Sequence, residues 1–271
     1  MKKILITGAT GFIGKNFLKL KNLQKNKLYC LVRKKIKSKK KITWYETAIE
    51  DSRNLKKIKK KITEIDTLYH FAWGNLPNYQ SKIHTTEELK KQKFFLKNMI
   101  DFGVKKIVVT GTCYEYGLKE GLIYNTYKTN PVVEYAKAKV KLYRWLKNYQ
   151  KKKFYNLIWL RLFFVYGNGQ SKKSLLQKIV ECERKGKKYF HLSKGDQIRD
   201  YINVKSAVKQ IYDYSKKFEN GVFNISSGKP VTLKNHILRI TKKNKLKIKL
   251  KFGKVPYLKY EPKIFWGLNK Y

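Results

Sequence analysis

A short β-forming run, Lys3-Ile4-Leu5-Ile6-Thr7, leads straight into Gly8-Ala9-Thr10-Gly11-Phe12-Ile13-Gly14. A strand that ends in G-x-x-G-x-x-G and continues as a helix leaves a chain few alternatives. Gly8 permits the tight turn, Gly11 lets the backbone approach a pyrophosphate, and Gly14 lets the helix pack closely on the strand. Free N–H groups at the start of that helix favour phosphate. Gly8, Thr10, Gly11, Phe12, Ile13 and Gly14 are therefore the residues expected to hold a dinucleotide. The same glycines interrupt the apolar stretch after Met1-Lys2-Lys3, which argues against reading it as a secretory leader.

Further short, nearly continuous apolar runs follow at 28–32, 65–71, 107–110 and 157–162, with a weaker one at 42–45. Such runs suit strands buried on both faces. Between them, amphipathic patterns predict helices at 14–21, 52–61, 87–102 and 132–150. Strand and helix in alternation give an α/β fold, a doubly wound parallel sheet of Rossmann type. Beyond Tyr166 the pattern loosens. Helices are expected at 171–185, 204–217 and 232–243, and strands at 188–192, 222–225 and 245–251. The division predicted is a dinucleotide-binding domain over 1–165 and a small α+β substrate lobe over 166–271, interleaved with the first.

Composition narrows the function classes. No apolar run approaches the roughly 18 residues of a membrane span. Three widely spaced cysteines form no metal-ligand pattern and point to a reducing, cytoplasmic setting. With 64 Lys and Arg against 18 Asp and Glu, the net charge is +46. A dedicated nucleic-acid protein concentrates its charge, whereas here Lys is spread over nearly every surface segment. Nucleic acid is therefore not the expected partner, although the field favours anionic ligands such as a nucleotide.

The second strand bears on which nicotinamide cofactor is used. An acidic residue at its end would bind the adenosine ribose hydroxyls and repel a 2′-phosphate. Here Tyr29-Cys30-Leu31-Val32 ends in Arg33-Lys34-Lys35. Arg33 can take a phosphate in bidentate fashion, which favours NADP over NAD. Further along, Tyr135 and Lys139 are four residues apart at the start of a predicted helix, hence on one face. A nearby ammonium and a positive nicotinamide ring would favour the phenolate of a tyrosine whose ordinary pKa is about 10. Tyr135 is thereby a candidate to exchange a proton with a sugar hydroxyl while hydride moves at the adjacent carbon.

These motifs together resemble the extended short-chain dehydrogenase/reductase superfamily, in particular its epimerase/dehydratase branch that acts on nucleotide sugars. The turn Gly8–Gly14 matches that family's glycine fingerprint. Asp66-Thr67-Leu68-Tyr69-His70-Phe71-Ala72 is similar to its fourth-strand segment, which implies that Phe71, Ala72 and Trp73 line the cofactor. Val108-Val109-Thr110-Gly111-Thr112-Cys113-Tyr114-Glu115-Tyr116-Gly117 resembles its fifth strand and active-site loop. Counting back from Tyr116 places the catalytic Thr at Thr112. Leu160–Gly167 resembles the sixth strand and crossover, Gln197–Val204 the segment whose arginine, here Arg199, binds the sugar nucleotide, and Gly221–Ile225 a late strand. The resemblance implies that Thr112 bonds the sugar oxygen at the reacting carbon, that Tyr135 is the acid/base, and that Lys139 holds the nicotinamide ribose. A simpler role for Arg199 is a pair with the adjacent Asp200.

The family's dehydratases carry Asp-Glu directly after the catalytic Thr. Cys113 and Tyr114 stand there instead, which disfavours dehydration. Glu115 is expected to point elsewhere. Cys113 is a candidate substrate-contacting acid/base for epimerisation beside a ketone. Three readings follow: NADP-dependent reduction of a nucleotide-linked 4-keto-6-deoxysugar for surface polysaccharide precursors; epimerisation with tightly held NAD(P); and a non-catalytic relative that binds NADP or a polyanion. Helices 87–102 and 132–150 resemble those through which such folds pair as homodimers.

Overall fold

The computed structural model describes residues 1–34, 36, 42–62, 64–258 and 260–270. Its first half alternates strands and helices: β1 (Lys3–Thr7), α1 (Phe12–Phe17), β2 (Lys27–Val32), β3 (Ile42–Glu46), α2 (Ser52–Lys61), β4 (Thr67–His70), α3 (Glu87–Asp101), β5 (Lys106–Thr112), β6 (Gly121–Tyr124), α4 (Glu134–Tyr149) and β7 (Asn156–Leu162). The second half follows with β8 (Phe164–Tyr166), α5 (Leu175–Arg184), β9 (Tyr189–His191), β10 (Ile198–Asn203), α6 (Val204–Lys217), β11 (Gly221–Ile225), β12 (Pro230–Thr232), α7 (Leu233–Lys243), β13 (Lys249–Lys251) and β14 (Ile264–Leu268).

The central sheet has seven strands in the order β11-β7-β5-β4-β1-β2-β3, and every pair is parallel. Alternation along each strand splits its side chains between two cores. Leu5 and Leu31 meet α2, α3 and α4 through Leu55, Phe95, Met99 and Leu142 on one face. Ile4, Ile6 and Cys30 meet α1 and α6 through Phe17, Ala207 and Ile211 on the other. This is the doubly wound α/β arrangement expected, because parallel strands need crossover helices that cover both faces. Among the described residues no helix is long and apolar enough to cross a membrane.

A second sheet of five strands runs β12-β10-β14-β6, with β8 also paired to β10. The chain passes between the two sheets more than once. β6 leaves the first half to pair with β14, while α6 and β11 return from the second half to cover and extend the central sheet. The Cys113 to Tyr116 turn and the β6, β7–β8 junction and β14 residues between the sheets share a small core of Cys113, Tyr116, Ile123, Phe163 and Phe265.

The sequence-based helix at 14–21 is displaced toward the N-terminus. α1 begins at Phe12, because Gly11 already has the extended backbone of a cap, and ends at Phe17. The long strand expected at 245–251 forms only over Lys249–Lys251, where it pairs with β9. β6, β8, β10, β12 and β14 do not stand out as strands in the sequence. They are short, and β10 carries Arg199 and Asp200, polar residues that become buried through long-range partners.

Candidate active site

β1, β4 and β5 lie side by side, so their carboxyl ends bring Gly8, Phe71 and Thr112 to one edge of the sheet. That edge is where ligands bind in open α/β sheets. Gly8 has φ 68°, and a Cβ there would lie 2.7 Å from the Ala72 nitrogen. A Cβ on Gly14 would lie 2.2 Å from the Gly8 carbonyl oxygen, so helix, turn and strand are packed backbone to backbone. Gly11 begins α1 with no side-chain cap, which leaves first-turn amides for an anion. Thr10 and Gly11 are exposed and Phe12 and Ile13 half-buried. This backbone cradle fits a dinucleotide pyrophosphate.

The cradle is held from below. Thr7 Oγ1 bonds His70 Nδ1 at 2.8 Å and accepts from the Ala72 N–H at 3.4 Å. His70 Nε2 bonds Gln92 Oε1. Burial lowers His70 to about 3, so this imidazole is neutral and structural. Arg33 and Lys34 are exposed just beyond the end of β2, two and three residues past Leu31, the partner of Thr7 at the end of β1. Lys35 lies outside the described residues.

Trp73 follows Ala72 and turns toward α4. Its Nε1–H donates to His84 Nδ1 at 3.1 Å, which places the imidazole proton on Nε2, where it donates to the Asn78 carbonyl at 2.9 Å. Glu88 holds the same loop through Gly74 N at 3.2 Å and Asn75 Nδ2 at 3.0 Å. Tyr135, the second residue of α4, donates its backbone N–H to Tyr79 at 3.0 Å. Its ring packs against Trp73, Tyr79 and His84 at centroid distances of 5.7, 5.5 and 5.4 Å. The structure thus brings Trp73, Tyr135 and Lys139 together. Lys139 Nζ lies 3.9 Å from the Trp73 ring centroid and 5.7 Å from that of Tyr135, and donates to the Thr110 carbonyl at 2.8 Å.

The chain's own groups, without the nicotinamide ring, do not by themselves give the lowered Tyr135 pKa that Lys139 and that ring together are expected to produce. Burial holds Tyr135 well above its ordinary value, and Tyr79, Glu115 and Cys113 push the same way. Burial also lowers Lys139 to about 7, against the opposing pull of Glu115 and Glu88. Desolvation outweighs attraction because both groups lose water in the same dry volume. The chain's own groups therefore present a neutral phenol, a proton donor. One consequence is measurable. An unfolded lysine titrates near 10.4, so the folded protein bears the full cost of a buried ammonium below about pH 7, and this cost fades as pH rises to about 10.4. Lys139→Met is expected to stabilise the protein, without added cofactor, more at pH 6 than at pH 10. Equal melting shifts at both pH values would contradict a depressed lysine.

Thr112 closes β5 and is 7% exposed. Its N–H donates to Glu115 Oε1 at 2.9 Å, and its Oγ1 accepts from Tyr114 N at 3.4 Å, a reciprocal capping box. Glu115 is fully buried. It points into the core and accepts from Trp159 Nε1 at 3.0 Å and Arg161 Nε at 2.8 Å. Sequence reasoning passed over this role, yet Thr112-x-x-Glu115 is a capping-box signature. Gly111 makes room for it, since a Cβ there would lie 2.3 Å from Glu115 Oε1. Cys113 is buried in the small core between the sheets, and burial raises its thiol far above the ordinary range, so it presents a neutral thiol and no base.

Arg199 does not pair with Asp200. It is 3% exposed and bonds Glu261 Oε2 at 3.2 Å, with Nη1 donating to the Ile198 and Lys263 carbonyls. Asp200 instead accepts from Ser227 and Gly228 N–H groups at 2.7 and 2.8 Å. Among the described residues no cluster of His, Cys, Asp and Glu is arranged to hold a metal.

Comparison with known proteins agrees with this fold. Over 267 residues, 97% of this chain and 98% of the relative, the chain is 29% identical to a dTDP-6-deoxy-L-talose 4-dehydrogenase (NAD(+)) of Aggregatibacter actinomycetemcomitans. It is 26% identical to the dTDP-4-dehydro-6-deoxyglucose reductase of Escherichia coli, over 86% of this chain and 79% of that one. Among solved structures, a UDP-N-acetylglucosamine 4-epimerase from Methanobrevibacter ruminantium M1 superposes with a TM-score of 0.84 at 19% identity, covering 99% of this chain and 89% of that one, which establishes the fold. Residues 4–226 match the profile of the NAD dependent epimerase/dehydratase family. With the glycine cradle, Thr112 and the Tyr135–Lys139 pair in place on a parallel doubly wound sheet, the chain belongs to the NAD dependent epimerase/dehydratase family.

Proposed function

We propose that the protein reduces the 4-keto group of a nucleotide-linked 4-keto-6-deoxysugar, with NADPH as cofactor, in the supply of surface polysaccharide precursors. The observation that carries this reading is Tyr135 beside Lys139 on one face of α4, with Lys139 Nζ 5.7 Å from its ring centroid, at the sheet edge where Thr112 ends β5. Ketone reduction needs a hydride at the carbon and a proton at the oxygen. The nicotinamide, when bound, supplies the hydride. Thr112 Oγ1–H orients the ketone oxygen. Tyr135 donates its phenolic proton to that oxygen as charge develops on it, and a positive Lys139 nearby stabilises the phenolate left behind. Cys113 and Tyr114 offer no acid/base pair for eliminating water.

The relative named as a 4-dehydrogenase supports the same centre, C4 of a nucleotide-linked 6-deoxysugar, worked in the opposite sense. By microscopic reversibility the same Tyr135 accepts the proton in oxidation, so the net direction follows the cofactor and sugar supplied, and reduction is the one proposed with NADPH. NADPH is proposed because Arg33 sits where an acidic residue would bind ribose hydroxyls. Arg33→Ser is expected to lower kcat/KM for NADPH about 10-fold to 100-fold, as loss of a charge-assisted phosphate contact of about 1.5–3 kcal/mol implies, and to leave NADH little changed. Steady-state kinetics with both cofactors checks this, and a wild-type preference for NADH would assign the protein to NAD.

A further inference from the structure

A cavity of about 350 Å³ opens beside the active-site loop, lined by Gln197, Arg199, Leu258, Glu261 and Lys263 among others. Two of its features are chemically unsettled. Gln197 Oε1 is buried with no hydrogen-bond partner, so the wall carries an acceptor left for a ligand donor. Arg199 has its Nη1 fixed by two carbonyls, at 3.0 and 3.1 Å, while Nη2 is engaged only at 3.2 Å by Glu261. The arginine is 3% exposed and the glutamate 19%. The pair is thus a fixed cation covered by a carboxylate that faces the cavity.

The other oxygen of Glu261 accepts from the Tyr114 hydroxyl at 2.7 Å. Tyr114 meets Tyr79 edge-on at 5.5 Å, and Tyr79 both packs on the Tyr135 ring and accepts its backbone N–H. One carboxylate therefore ties the cavity's cation to the aromatic group around the catalytic tyrosine. An incoming phosphate at Nη2 meets the repulsion of the carboxylate already in contact there, because like charges a few ångströms apart repel.

We propose that Glu261 is a resident anion that the phosphate of the nucleotide moiety displaces from Arg199, so that Glu261 sets the affinity of this site for nucleoside diphosphates and its release frees Tyr114 beside Tyr79. This rests on the reading of Arg199 as the nucleotide-facing arginine. The bound nucleotide takes over Nη2, and only a ligand that binds the fork better than a carboxylate opens the contact. A phosphate, with more charge and more acceptor oxygens than a carboxylate, meets that condition.

The test is calorimetric titration of UDP, dTDP and GDP into protein saturated with NADPH. For the nucleotide that binds wild type best, Glu261→Gln is expected to tighten binding about tenfold, or about 1.4 kcal/mol. Tyr114→Phe, which removes one tether of the carboxylate, is expected to tighten it by a smaller factor. Glu120→Gln is the charge control. Glu120 lies beside the same wall through the Lys263 N–H, and its variant is expected to leave the affinity unchanged. Weaker binding in Glu261→Gln would make Glu261 a ligand group and overturn the exchange. An equal gain in Glu120→Gln would reduce the effect to general charge and overturn it as well. Arg199→Met is expected to weaken binding about a hundredfold; if it changes nothing, or if no diphosphate binds wild type, the assignment of Arg199 itself fails.

Discussion

Tyr135→Phe is expected to lower kcat about a thousandfold while leaving the fold and cofactor binding intact. Loss of a positioned general acid costs roughly 10²–10⁴ in rate. The ring contacts with Trp73, Tyr79 and His84 do not use the hydroxyl, and the backbone bond to Tyr79 survives the substitution. The deletion is therefore confined to one oxygen and its proton. Single-turnover measurement with preformed enzyme–NADPH separates the chemical step from binding. A variant that kept more than a tenth of wild-type kcat would remove Tyr135 from the proton transfer and leave Thr112 or a solvent path as donor.

The second large effect concerns a residue that touches no substrate. Glu115 and Arg161 form an ion pair whose side chains are 0% and 5% exposed, and Glu115 also satisfies Thr112 N and Trp159 Nε1. Glu115→Leu leaves a buried guanidinium without its carboxylate and two N–H groups without an acceptor. Breaking a buried pair from one side costs about 3–5 kcal/mol, and for a chain of this size each kcal/mol lowers the melting temperature by about 2–4 °C. A fall of roughly 10 °C is expected. Glu115→Leu/Arg161→Leu should recover part of it, because the stranded charge is gone. Glu115→Gln keeps an acceptor for Thr112 N, so it should retain most of the kcat that Glu115→Leu loses. If Glu115→Leu melted with wild type, the carboxylate would not be what holds Thr112 in place.

These two residues show where the sequence was readable and where it was not. Tyr135 and Lys139 depend on helical spacing, a local property, and α4 places them as that spacing requires. The same holds for β1, α2 and α6, whose bounds coincide with their apolar patterns. Glu115 was legible in principle, since Thr-x-x-Glu marks a cap, but its burial against Arg161 depends on β5 and β7 becoming neighbours, 46 residues apart in sequence. Glu261 reaches Tyr114 across 147 residues, and nothing near it in sequence signals that contact. The strands of the second sheet were hard to see for the same reason. Arg199 and Asp200 look like surface residues until Glu261, Ser227 and Gly228 arrive to satisfy them. The burial that raises Tyr135 in the chain's own surroundings was not legible either, because sequence shows the attracting lysine and not the dehydration that both groups share.

The proposed reaction delivers a hydride to one sugar carbon and a proton to its oxygen in a net reduction. The direct measurement follows absorbance at 340 nm as the protein is mixed with NADPH and a dTDP-linked 4-keto-6-deoxyhexose, with the sugar product identified in the same sample. One NADPH is expected to be consumed per 4-hydroxy sugar formed, at a rate about a thousandfold lower in Tyr135→Phe. Conversion of a nucleotide sugar to its epimer with no net loss of NADPH, or failure of the protein to bind either nicotinamide cofactor, would contradict it.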